Sequence, residues 1–162
     1  MALSMYQASV PVFVRMLTQL SSILEKGEAY AVAKKIDPAV LIQGRLAPDM
    51  FPLSRQIQIA CDTAKGCGAR LAGVEIPAYP DTETSFAELR ARIQKTLDYL
   101  KTFSAAQIDG SEERPVTLKI RGNMMTLSGQ TYLLQHALPN LFFHVTTAYA
   151  ILRRDGVELG KP

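Results

Sequence analysis

The 162-residue chain has a net charge of +3, from 18 basic and 15 acidic residues, and 48% of its residues are apolar. This composition is that of a globular protein, and we expect a single domain over residues 1–162 with a sizeable buried core. The charge is too small, and its basic clusters too short, to indicate a nucleic-acid or membrane-surface partner. No apolar run approaches the ~20 residues of a membrane span, and the N-terminus does not resemble a signal peptide. We therefore expect a cytoplasmic protein whose cysteines are reduced.

Apolar residues recur at three- and four-residue steps in four long segments, which predicts four amphipathic helices. The predicted helices cover residues 5–25, 48–71, 86–103 and 131–154. Gly27 is expected to end the first of them. Asp37 and Pro38 are typical of a helix start and predict a short helix between the first and second long ones. Pro139 lies inside the fourth helix and predicts either a kink or a break into two helices.

The pattern changes between the third and fourth long helices, where alternating and β-branched residues appear. The segments PVTLKI and MMTLSG lie on either side of RGN, which contains a turn-forming pair. This arrangement predicts a small β-hairpin. Four long helices with one inserted hairpin favour an all-α fold, namely a four-helix bundle.

Both histidines of the chain lie in the fourth predicted helix, eight residues apart, with Asn140 halfway between them. A helix turns by about 100° per residue, so these three side chains form one continuous polar stripe. A groove on a bundle suits a small molecule or a metal, because facing helices can each contribute side chains. The second long helix offers polar side chains of its own, one turn apart. The candidate groove residues are Gln58, Asp62, His136, Asn140, His144 and Tyr149.

Metal binding requires more than this stripe provides. A catalytic zinc or nickel site normally has three protein ligands, whereas the stripe offers two imidazoles and an amide, which is a weak ligand for such metals. His144 and His136 are the candidate metal ligands, with Asp62 or Gln58 completing the set. The first expectation is therefore no cofactor, and a divalent metal (zinc or nickel) is the second. In the simplest alternative, His144 donates its ring N–H to a partner while packing against the core.

Three segments of the chain resemble an uncharacterised bacterial family, the domain of unknown function numbered 1993. They are MYQASVPVFVRML, APDMFPLSRQIQIACDTAKG and LPNLFFHVTTAYAILRRDGVELGK, and the likeness extends over essentially the whole chain. That family is similar in fold to the DinB/YfiT-like superfamily of four-helix bundles. Its members are often dimeric, and several hold a divalent metal through three histidines. The resemblance places His144 at the last of these histidines, Asn140 at the other histidine of the last helix, and Gln58 approximately at the histidine of the second helix.

The leading hypothesis is a homodimeric, DinB-like cytoplasmic protein with a degenerate metal site. Its polar groove, between the second and fourth long helices, would bind an unidentified small molecule. One alternative is a divalent-metal-dependent thiol transferase or hydrolase of the DinB/YfiT type, and another is a non-catalytic dimeric interaction module. Whether the protein is an enzyme is left open by the sequence. The groove requires the two helices to lie side by side, with the amide of Gln58 within reach of the imidazole of His144.

Overall fold

The computed structural model describes residues 2–160, and most of them are helical. The helices are α1 (Met5–Ala8), α2 (Val10–Lys34), α3 (Pro38–Ile42), α4 (Leu53–Ala72), α5 (Phe86–Leu100), α6 (Ala105–Ile108), α7 (Gly129–Tyr132) and α8 (Leu138–Arg154). Strands β1 (Pro115–Ile120) and β2 (Asn123–Ser128) precede α7, and a π-helical segment, Leu133–Ala137, joins α7 to α8. The prediction of a mainly helical fold with one small hairpin is confirmed. Within the described residues, the long helices α2, α4, α5 and α8 are accompanied by four short ones.

The first long helix differs from the prediction at both ends. Its start is interrupted at Ser9, which separates α1 from α2. The helix then continues through Gly27 to Lys34, so the prediction that Gly27 ends it was wrong. A Cβ atom at Gly27 would lie only 3.3 Å from side-chain atoms of Leu152 and Phe86. Glycine is therefore used here for close approach of α5 and α8, and not to end the helix.

The ends of the next two long helices also differ from the predicted ones. The second was expected to begin at residue 48, but α4 begins at Leu53 because Pro52 occupies its N-cap position with an extended backbone. The third begins after Ser85 as expected, and Ser85 and Glu88 form the capping box that their spacing indicates. It ends at Leu100, three residues earlier than predicted.

The four long helices pack against one another, and α4 is central to that packing. It packs along α8 on one side and along α5 on another, while α2 also contacts both α5 and α8. One cluster of buried apolar side chains draws on all four helices. Cys61 and Cys67 of α4 belong to this cluster as free, buried thiols, as predicted. The side-by-side arrangement of α4 and α8 is the part of the fold that positions the candidate site.

The last helical stretch contains the irregularity that Pro139 predicts. Proline has no N–H, so the regular α-helical hydrogen-bond pattern cannot continue through it. The wider turn of the π-helical segment precedes it, and the backbone at Ala137 and Leu138 keeps helical angles. The two parts are thus joined by a π turn and not by a loop.

The hairpin forms where the sequence predicts it. β1 pairs antiparallel with β2, with Ile120 opposite Asn123. Arg121 and Gly122 between them both have positive φ angles, as a two-residue hairpin turn requires. Within residues 2–160, no helix combines the length and the apolar character that are needed to cross a membrane.

Candidate functional site

Two hydrogen bonds in series link His144 of α8 to Gln56 of α4, and Gln56 to the backbone oxygen of Phe51, which lies just before α4. His144 of α8 is 7% exposed, and its Nδ1 lies 2.6 Å from Oε1 of Gln56. Gln56 of α4 is 1% exposed, and its Nε2 donates a hydrogen bond of 3.0 Å to the backbone oxygen of Phe51. The imidazole is therefore held on one side by a buried amide whose own position is fixed by the backbone.

A second hydrogen bond joins the same two helices one turn away. Nδ2 of Asn140, a half-buried residue of α8, donates to Oγ1 of Thr63 at 2.9 Å. Thr63 lies seven residues after Gln56, so both project from the same face of α4. Asn140 and His144 thus face Thr63 and Gln56 across a single helix–helix contact. We call these four residues the neutral network.

Gln58 does not take the place that the sequence predicted for it. Its Nε2 donates to Oε2 of Glu83 at 3.0 Å, and its Oε1 accepts a bond of 3.3 Å from Arg55. Two residues along a helix correspond to a rotation of about 200°, so Gln58 points away from α8 when Gln56 points toward it. The predicted contact between the Gln58 amide and the His144 imidazole was wrong, and Gln56 makes that contact.

Asp62 and Tyr149 also lie on other surfaces. Asp62 projects from α4 on the side of Gln58, where its Oδ1 lies 3.0 Å from Arg92. The hydroxyl of Tyr149 donates to the backbone oxygen of Leu159, on the far side of α8. Neither residue lines the contact between α4 and α8.

His136 belongs to the π-helical segment. Its ring stacks on that of Tyr132, with the two centroids 5.8 Å apart, and the Tyr132 hydroxyl accepts a hydrogen bond from Arg70. Of the predicted groove residues, the structure therefore brings together Asn140 and His144. His136 is half-buried beside a different aromatic contact.

A cluster of charged residues on the opposite face of α4 was not predicted. The side chain of Arg92 is 2% exposed, and its two terminal nitrogens lie 2.9–3.0 Å from carboxylate oxygens of Asp62, Asp81 and Glu83. We call these four residues the Arg92 cluster. Asp62 and Asp81 remain partly exposed to water, whereas Glu83 is only 12% exposed.

The sequence carried a signal for both missed residues. Arg92 follows Leu89 by three positions on the apolar stripe of α5, and Gln56 follows Leu53 by three on that of α4. A polar residue at the helical spacing of an apolar stripe indicates a buried polar group with dedicated partners.

Electrostatics favour the neutral form of the imidazole. Burial lowers the pKa of His144 from its ordinary value, and the guanidinium of Arg55 lowers that pKa further. Burial raises the pKa of the Cys61 thiol to about 12 and that of the Cys67 thiol as well. Both cysteines are therefore protonated near neutral pH, which makes them poor nucleophiles and poor metal ligands.

The donor atoms around His144 do not fit the divalent metal that the fold family implies. In the part of the chain that the structure describes, no three His, Cys, Asp or Glu side chains come together as metal ligands. The groups next to His144 are the amides of Asn140 and Gln56, and the Gln56 oxygen is already bonded to the ring. One imidazole and one amide fall short of the three ligands of a catalytic zinc site.

An apolar surface cleft of about 450 Å³ lies along α8 beside the neutral network. It is lined by Leu46, Pro139, Phe142, Phe143, Thr146, Thr147 and Ala150. The Phe143 ring contacts the His144 ring edge to face, with the centroids 5.1 Å apart. We call this feature the α8 cleft. Its lining is mostly apolar, and the neutral network adjoins it through the contact between the Phe143 and His144 rings.

The fold and the α4–α8 contact define a protein of the DinB type. The chain is 46% identical to a protein of known crystal structure, described as a DinB family member from Shewanella denitrificans. That match covers 96% of this chain and 88% of the other, with a TM-score of 0.87. No curated protein matches the chain. The model of the domain of unknown function DUF1993 matches residues 5–162, and the chain belongs to that family.

Proposed function

We propose that this protein binds a small molecule at the border of the α8 cleft, where His144 and Asn140 supply the polar contacts. The proposal keeps the groove between α4 and α8, but of the residues first assigned to it only Asn140 and His144 remain. It also carries over two predictions of the sequence, a cytoplasmic location and a homodimeric state.

The observation that carries the proposal is a pair of free acceptor atoms on α8. His144 is bonded through Nδ1 and Asn140 through Nδ2, and within residues 2–160 neither Nε2 of His144 nor Oδ1 of Asn140 has a hydrogen-bond partner. The buried polar side-chain atoms that lack a partner lie elsewhere, on Arg90, Arg92, Ser111 and Asp155. Neither of the two free atoms is therefore completely buried, and they lie one turn apart on the same helix.

The alternatives have less support. A metal-dependent transferase or hydrolase would need a third ligand next to His144, and the described residues supply none. A purely structural seam would have all its polar groups sealed and bonded, whereas Asn140 is half-buried. A ligand site explains why the neutral network is hydrogen-bonded on its α4 side and has free polar atoms on its other side.

Phenol is a suitable first probe because it combines an apolar ring for the cleft with one hydroxyl group. Titration of ¹⁵N-labelled protein with phenol should shift the backbone amide signals of residues 139–147. His144→Leu, which keeps a similar volume, should weaken this binding about tenfold, the effect expected for one lost hydrogen bond.

The matched control is His136→Leu, which removes the other imidazole of the chain and should leave phenol binding unchanged. Equal binding by His144→Leu and the wild type would contradict the proposal. Shifts confined to a different surface, such as the smaller cleft beside Tyr79 and Lys95, would contradict it as well.

A further inference from the structure

The orientation of the Gln56 amide follows from its contact with the backbone. The carbonyl oxygen of Phe51 can only accept a hydrogen bond, so the nitrogen of the amide must face it at 3.0 Å. The opposite orientation would bring two oxygen atoms together at that distance. The amide oxygen of Gln56 therefore faces His144.

This orientation determines which nitrogen of the imidazole carries the proton. Nδ1 of His144 lies 2.6 Å from an oxygen that can only accept, so Nδ1 must donate. A neutral imidazole has one N–H, and burial together with Arg55 favours the neutral form by lowering the pKa. Nε2 is consequently left with a free lone pair.

We propose that Gln56 is a positioning residue that holds His144 as the Nδ1–H tautomer, so that the site selects ligands able to donate a hydrogen bond. This inference rests on the proposed function, because it specifies the chemical class of the ligand at the same site. The class consists of small, mainly apolar molecules with a hydroxyl, thiol or N–H group. Molecules that carry only acceptors meet the Nε2 lone pair without forming a bond, and bind more weakly.

The tautomer can be measured directly because the chain has only two histidines. Long-range ¹H–¹⁵N spectra of the full chain at neutral pH should show His144 with a protonated Nδ1 and an unprotonated Nε2. Gln56→Leu removes the acceptor and should shift both ring nitrogens toward a mixture of tautomers. Gln56→Glu keeps an oxygen that can accept from Nδ1, which should therefore stay protonated even if the carboxylate makes the ring cationic, while the signals of His136 serve as the internal control.

Either of two spectra would overturn the assignment of Gln56. One is a wild-type spectrum with the proton on Nε2, which needs no variant to interpret. The other is an unchanged His144 tautomer in a folded Gln56→Leu protein, which would show that a different group fixes the ring.

The ligand class is tested by comparing phenol with anisole, which has the same ring but a methyl ether in place of the hydroxyl. Anisole should bind wild-type protein about tenfold more weakly than phenol, as expected for one hydrogen bond. Equal binding of the two would overturn the selection of donors. A protonated Nδ1 without any phenol binding at residues 139–147 would contradict the proposed function and leave the role of Gln56 intact.

Discussion

The two polar faces of α4 differ in how completely their groups are paired. Toward α5 and the segment before it, α4 presents charged and polar side chains that are all engaged with one another or with the Arg92 cluster. They are Arg55, Gln58, Asp62 and Lys65. Toward α8 it presents two neutral residues, Gln56 and Thr63, whose partners on α8 each keep one free polar atom. Paired charges hold structure together, whereas unpaired atoms at a surface are available to a ligand.

The charged face has a clear structural task. Besides its ion pairs, Arg92 donates to the backbone oxygen of Pro80 at 3.0 Å, and Arg55 forms an ion pair with Asp81 at 2.6 Å. These contacts fix the segment between α4 and α5, which contains no helix or strand. The Arg92 cluster therefore serves the structure of this segment, whereas the neutral network is where we propose that a ligand binds. Three experiments test this distinction.

The largest loss of stability is expected from Arg92→Met, which removes the cation of the Arg92 cluster and leaves the neutral network unchanged. It leaves three carboxylates without their shared cation, one of them, that of Glu83, only 12% exposed. Removing one partner of a buried ion pair typically costs about 3–5 kcal/mol, and we expect the lower end because Asp62 and Asp81 can regain water. Urea denaturation measures the change, and the His144 imidazole spectrum should be unaffected.

Arg90→Met is the matched control, on the same helix. The side chain of Arg90 is 37% exposed, and its nearest carboxylate oxygens on Glu25 and Glu28 lie 3.8 and 3.6 Å away. Such exposed pairs contribute at most about 1 kcal/mol. Equal destabilisation by the two methionine variants would contradict the view that the Arg92 cluster is what holds this face.

A smaller effect on stability, which depends on pH, is expected from His144 in the neutral network. In the folded protein the pKa of His144 lies below the ordinary 6.5 that it regains on unfolding. As the pH falls through 6.5, the unfolded chain takes up a proton before the folded one does, so the free energy of unfolding decreases. The slope is at most about 1.4 kcal/mol per pH unit, and it ends once the pH is below the folded pKa.

This contribution is isolated by measuring wild type and His144→Leu by urea denaturation from about pH 8 to about pH 5, the range in which histidine titrates. The stability of the wild type relative to the variant should decline as the pH falls. Gln56→Glu should reverse the sign, because a carboxylate beside the ring raises the pKa of His144. If the free energies of unfolding of wild type and His144→Leu differ by the same amount at every pH, protonation of the imidazole does not destabilise the fold.

The smallest effect is expected from Thr63→Val, which has nearly the same shape but cannot accept the hydrogen bond from Asn140. Asn140 is half-buried and can bond to water, so the loss should be about 0.5–1 kcal/mol. Phenol binding at His144 should persist, as seen by NMR titration. Loss of that binding would mean that Thr63 positions the site and is more than a structural contact.

Spacing in the sequence predicted which segments are helical, because apolar periodicity reflects burial. It was less successful with helix ends, since Gly27 is equally compatible with a helix end and with a close helix contact. The contact between α4 and α8 at His144 was predicted for the correct pair of helices, but the partner of His144 was assigned to Gln58 when it is Gln56. A difference of two residues is small in a sequence alignment, yet on a helix it selects the opposite face.

Periodicity indicates that Arg92 is buried, but it could not identify the acidic partners of Arg92. Asp81 and Glu83 lie in a segment without regular structure, so no repeat indicates where their side chains point. Only the packing of that segment onto α4 and α5 brings them to Arg92. Long-range ion pairs of this kind are fixed by tertiary structure, whereas capping contacts such as Ser85 with Glu88 are local and were predicted correctly.

The π turn at Leu133–Ala137 has a consequence for how residues are counted along this part of the chain. Its turn is wider than that of an α-helix, so positions before and after it do not share one angular phase. The interval from His136 to Asn140 therefore does not place them in line, whereas that from Asn140 to His144 does. Deleting one residue within the turn would convert it into a regular α-helical turn and leave the direction of α7 and the attached hairpin largely unchanged, because one extra residue is what distinguishes a π turn from an α turn.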